Sequence, residues 1–199
     1  MKWVWLASRL LFYILLIFGI SLVIESDMYK QSFKEDSMTE LFQVLFLLGI
    51  ALISGIIAYK FPKLRVFSVM FSAFALVSFI RENDAFLENN LFDKGWQVLA
   101  LLVLVPSLIY FFKNLKIFGS ELKSVASSLP FGIILTSNVI LHLFSRLYGR
   151  KKIWKAFMGE ENFMRSVKDA SEESIELLAY CLMFIGTIEL SRFVKHKLN

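Results

Sequence analysis

The chain has 199 residues, 57% of them hydrophobic, with 21 Phe and a mean hydropathy of +0.62. A soluble domain sits nearer about 45–50% apolar and cannot hide the excess in one core, which argues against a soluble enzyme, a nucleic-acid binder and a disordered scaffold. One Cys excludes a disulfide framework or Cys-based zinc, and the net charge of +5 comes from basic residues at the ends of apolar runs, where membrane proteins place them.

The composition therefore predicts an all-α polytopic membrane helical bundle. A helix needs about 20 mostly apolar residues to cross the hydrocarbon core. Six such runs occur, at about 4–24, 39–59, 66–86, 95–112, 129–148 and 174–193, and they are read as six transmembrane helices of a single domain. The first run follows Lys2 and Arg9, as a signal peptide would. It is longer than an h-region and no small-residue cleavage pattern follows, so it is read as a retained span.

The second span opens Glu35-Asp36-Ser37-Met38-Thr39-Glu40, with Gln43 one turn on. Asp36, Glu40 and Gln43 share a helix face. Ser37-x-x-Glu40 is a capping-box pattern, so Ser37 and Glu40 are structural candidates, while Gln43 is left as a candidate for substrate binding.

The third span has a purely apolar run of only 66–80. Its crossing is expected to be completed by Arg81-Glu82-Asn83-Asp84-Ala85-Phe86, with Arg81, Asp84 and Glu88 on one face. Charges at the edge of hydrocarbon persist when paired. An Arg–carboxylate packing lock and a binding or catalytic role both remain open. The fourth span starts with Trp96, read as an interface-belt residue, and Gln97, and Pro106 interrupts it.

The fifth span carries Asn138, His142 and Arg146 at steps of four, a polar stripe on an apolar helix. Membrane histidines commonly hydrogen bond between helices. The stripe also suits a wet cavity. The outer loop, 149–173, interleaves lysines with Ile153, Trp154, Phe157 and Met158. That spacing predicts a short helix in the membrane interface, with lysines toward lipid phosphates, or else a loop with an aromatic anchor. The sixth span opens with Glu172 and Glu173, then Glu176 and Tyr180; Asp169-x-x-Glu172 is read as its cap.

The side bearing both termini gathers Lys2, Arg9, Lys60, Lys63, Arg65, Lys113, Lys116, Lys123, Arg192, Lys195 and Lys197 against Glu121 and Glu189. The positive-inside rule places that side in the cytoplasm. Arg150, Lys151, Lys152 and Lys155 in the last outer loop dissent. With this topology the polar groups fall at the outer end, where carboxylates of three helices would meet Arg81, His142 and Arg146. Such carboxylates must be protonated, paired or cation-bound. The oxygen-rich set would favour a divalent cation, Mg²⁺ or Ca²⁺.

Taken together, Glu40 with Gln43, Arg81-Glu82-x-Asp84 and Glu172-Glu173-x-x-Glu176-Leu177-Leu178-x-Tyr180 resemble small multi-pass inner-membrane proteins of Gram-negative bacteria, a group with no assigned activity. The resemblance covers nearly the whole chain and implies a location, the bacterial inner membrane, and little chemistry. Two enzyme families do not fit. Ceramidase-type and adiponectin-receptor-like hydrolases need three zinc-binding histidines, and this chain has His142 and His196 alone. CAAX-type proteases need Arg where Leu177 stands.

Three functions stay in play. The first is a scaffold, sensor or complex subunit, with a protein partner or a homo-oligomer as its context and no nucleic acid. It predicts paired carboxylates and no cavity. The second is a cation-dependent enzyme on a lipid or lipid-linked substrate at the outer leaflet. In it Glu82, Asp84, His142 and Glu176 are the catalytic candidates, Glu82, Asp84 and Glu176 also hold the metal, and Arg81, Arg146, Gln43, Asn138 and Tyr180 bind substrate. The third is a transporter or ion pathway using Pro106 and Asn138 and continuing toward Glu189.

Overall fold

The computed structural model describes residues 2–30, 37–90, 92 and 94–197. Most of the described residues are helical, and none of them lies in a strand. Among the described residues nine helices follow one another: α1 (Lys2–Lys30), α2 (Met38–Lys60), α3 (Arg65–Glu82), α4 (Asp84–Asn90), α5 (Gly95–Lys113), α6 (Leu115–Val125), α7 (Leu129–Tyr148), α8 (Lys151–Met158) and α9 (Arg165–Lys197). Six are long and apolar enough to cross a membrane: α1, α2, α3 with its preceding 3-10 turn, α5, α7 and α9. This is an all-α polytopic membrane bundle.

The third and sixth crossings differ most from the sequence expectation, and the first also runs on to Lys30, past the expected 24. The third crossing is Pro62–Glu82, so its missing length comes from the Pro62–Leu64 turn and not from 83–86. The helix stops at Asn83 (φ −106°, ψ 22°), whose side chain bonds the Phe79 carbonyl at 2.7 Å. That break separates Arg81 from Asp84 and Glu88, so they do not share one helical face. The sixth crossing begins at Arg165, well before 174. Pairs at i,i+4, Arg165–Asp169 and Lys168–Glu172, support this added stretch. Pro106 does not interrupt α5, which runs unbroken from Gly95 to Lys113.

The chain forms two compact units, Met1–Gln43 with Ser137–Leu182, and Val44–Thr136 with Met183–Asn199. Within the second, the interior is apolar and aromatic. Phe67 stands 6.2 Å from Phe71, 6.2 Å from Phe118 and 6.1 Å from Phe131. Phe111 meets Phe118 edge-on at 4.9 Å, a favoured ring geometry. Gly49 is needed here, because a Cβ would lie 2.6 Å from the Phe184 ring.

Glu121 is the charged exception in that interior. It is 4% exposed and takes the backbone N–H groups of Val66 (3.2 Å) and Phe67 (2.7 Å). Those donors open α3, where Leu64 supplies no side-chain cap. A carboxylate at this positive helix end replaces the partners the helix itself lacks. Across the same turn, Arg65 Nε donates to the Ala58 carbonyl near the end of α2 (3.2 Å), the complementary arrangement at a negative end.

Candidate functional site

The first unit has a different interior. Its buried residues include Asp27, Ser37, Thr39, Gln43, Ser137, Ser145 and Glu176, about as many polar as apolar. A buried polar group costs free energy unless it is hydrogen bonded, so the bonds define the site.

The start of α2 is held twice. Ser37 Oγ accepts the Glu40 N–H at 3.2 Å. Asp27, on α1 and 1% exposed, accepts the Met38 N–H at 3.3 Å and the Thr39 N–H at 2.7 Å. Asp27 carried no signal in the sequence, because the pattern rules that find caps look three residues ahead and this contact spans 11 and 12. Glu35 and Asp36 lie outside the described residues.

One turn along α2, Gln43 is fully buried. Its Nε2 donates to the Glu173 carboxylate at 2.9 Å and to the Glu173 carbonyl at 3.3 Å. Glu173 therefore belongs to the α2–α9 contact. Tyr180 is also buried, 1% exposed, among apolar α9 neighbours Leu177 and Cys181.

The α7–α9 contact uses the next pair of glutamates. Ser145 Oγ donates to Glu176 Oε1 at 2.9 Å, and both residues are buried. Arg146 approaches from the rim, 3.9 Å from Glu176 and 3.6 Å from Glu172. Lys168 completes Glu172 at 2.6 Å and Asp169 at 3.0 Å. Gly149 makes this geometry accessible: a Cβ there would stand 2.5 Å from Glu172 Cδ. The expected cap is thereby corrected. Asp169 and Glu172 lie inside α9, paired to Arg165 and Lys168, and not ahead of its first turn.

Within α7 a π turn spans Ile140–Phe144, with the Ser145 N–H bonded to the Ile140 carbonyl. Such a turn inserts one residue into the helical ladder. The buried stripe runs through Ser137, Leu141, Ser145 and Gly149. Each precedes by one residue, or follows by three, a member of the expected stripe of Asn138, His142 and Arg146. That stripe therefore flanks the buried face: Asn138 is half-buried, while His142 and Arg146 are exposed.

The remaining candidates, Arg81, Glu82 and Asp84, belong to the second unit. Arg81 and Glu82 form an ion pair between neighbours in the chain. Asp84 is exposed, and its carboxylate accepts the Ala85 N–H at 2.7 Å. Trp96 donates its indole N–H to Glu88 at 3.0 Å. Among the described residues no group of three or more His, Cys, Asp or Glu is placed to hold a metal ion. Two open grooves, lined by Lys151, Lys152, Lys155, Ala156 and Glu160, and by Ala51, Gly55, Tyr59, Ser72 and their neighbours, include none of the predicted site residues.

Comparison with protein-family models, curated proteins and solved structures finds no match.

Proposed function

We propose that this is a multi-pass protein of a bacterial inner membrane, acting as a scaffold, sensor or complex subunit, with both termini cytoplasmic. Its polar residues in the first unit are an interhelical lock. The observation that carries this reading is the engagement of the α9 glutamates: Glu172 by Lys168 and Arg146, Glu173 by Gln43, Glu176 by Ser145 and Arg146. A catalytic carboxylate needs room for substrate and an available proton site. Glu176 and Gln43 are instead buried against neighbouring helices. The inner-membrane location rests on the sequence resemblance, and the orientation on the excess of Lys and Arg over acids on the termini-bearing side.

The test is Glu176→Ala in the full chain, expressed in a bacterial membrane and purified in detergent. The lock predicts lower membrane abundance and a stability loss of about 2 kcal/mol by thermal melting, since a buried hydroxyl loses a charged partner. Ser145→Ala should show a smaller loss in the same direction. A Glu176→Ala protein as stable and abundant as the parent overturns the lock. If that stable variant also loses a cellular phenotype, the lipid-enzyme reading takes its place.

A further inference from the structure

We propose that α8 and its flanks form a docking surface for anionic phospholipid headgroups. The helix divides cleanly around its axis. At 100° per residue, Ile153, Phe157, Trp154 and Met158 fall on one side, and Lys151, Lys152 and Lys155 on the other. No residue of α8 is buried. Ile153 is 47% exposed and Phe157, one turn away, is 83% exposed. An apolar edge beside a basic face is the pattern of a helix lying in a headgroup layer.

The helix is fixed at the end of a crossing. The Trp154 indole N–H donates to the Tyr148 carbonyl, the last residue of α7, at 2.9 Å. A ring ladder continues the tie: Phe144 stacks on Tyr148 at 5.6 Å, Tyr148 meets Trp154 at 5.4 Å, and Trp154 meets Phe157 at 6.5 Å. Where a transmembrane helix ends, Trp and Tyr belong at the headgroup level. Phe157 extends that ladder outward from α7.

Charge selects the lipid. Lys151, Lys152, Lys155, Ala156 and Glu160 line one open groove. Glu160 stands 3.4 Å from Lys155, and Lys151 lies over the Phe163 ring at 5.6 Å. Arg150 precedes the helix with extended backbone. The groove thus carries more positive than negative charge and suits a phosphate oxyanion, while the neighbouring apolar edge suits acyl chains. A soluble acidic partner would use the lysines and leave Ile153 and Phe157 in water.

The experiment uses the full chain with Trp154 as its single tryptophan, after Trp3→Phe, Trp5→Phe and Trp96→Phe. It is reconstituted in phosphatidylcholine vesicles with and without phosphatidylglycerol, with bromine on the acyl chains of one lipid at a time. Trp154 should be quenched by brominated lipid and shielded from aqueous iodide. Quenching should favour phosphatidylglycerol, and Lys151→Gln with Lys152→Gln and Lys155→Gln should cut that preference about tenfold. Thermal melting checks that the triple variant folds; should it not, Lys152→Gln alone must still reduce the preference. Three results overturn the proposal: Trp154 open to iodide and unquenched by lipid, an unchanged preference in the folded lysine variant, or self-association abolished by Phe157→Ser while lipid quenching stays the same, which would assign the surface to a second copy.

Discussion

Asp27 and Glu121 perform the same task in unlike surroundings. Each is a buried carboxylate that accepts two backbone N–H groups from the first turn of another helix. Asp27 works in a polar interior and shares the helix end with Ser37, which takes a third donor. Glu121 works in an aromatic interior, at a helix end with no side-chain cap of its own. The cost of losing a cap depends on what else can satisfy the orphaned donors. The comparison therefore ranks the two: Glu121 is the more expensive to remove, although its helix end looks unremarkable in sequence and the Asp27 end carries a capping box.

That ranking can be broken directly. Glu121→Ala should have the largest effect, about 3 kcal/mol in thermal or denaturant unfolding in detergent, because two donors lose a charged acceptor in apolar surroundings. Glu121→Gln should recover part of it, since one amide oxygen still accepts. Asp27→Ala should cost about 2 kcal/mol, with Ser37 still capping. An Asp27→Ala loss equal to or above that of Glu121→Ala would show that the polar interior offers no substitute partners.

The smallest effect sharpens the account of the polar unit. Gly149→Ala should cost about 1 kcal/mol, because the new methyl meets the movable end of Glu172 and not backbone. In a Glu172→Ala background the same change should become nearly neutral. Additive losses in that double-mutant cycle would mean that Gly149 and Glu172 do not compete for space.

Local features were legible because their causes are local. The number of crossings follows from apolar run length, and all six runs correspond to a long helix. The contact from Ser37 to the Glu40 N–H spans three residues and can be read as a pattern. The early start of α9 also had a signal. Arg165 with Asp169 and Lys168 with Glu172 are opposite charges at helical spacing, but Asp169-x-x-Glu172 imitates a capping box and masks them. The π turn in α7 had none. Nor did the buried face of α7, which runs through Ser137, Leu141, Ser145 and Gly149 beside Asn138, His142 and Arg146; serines are too common in membrane helices to announce it.

The amino-acid order by itself determined that this chain is a set of membrane-length helices with charges at their ends, since hydration free energy sums over neighbouring residues. Tertiary structure alone decided which charge answers which helix end. Asp27 and Glu121 acquire their roles only when folding brings another helix's unpaired N–H groups within 3.3 Å, and no property of either residue's own segment specifies that meeting.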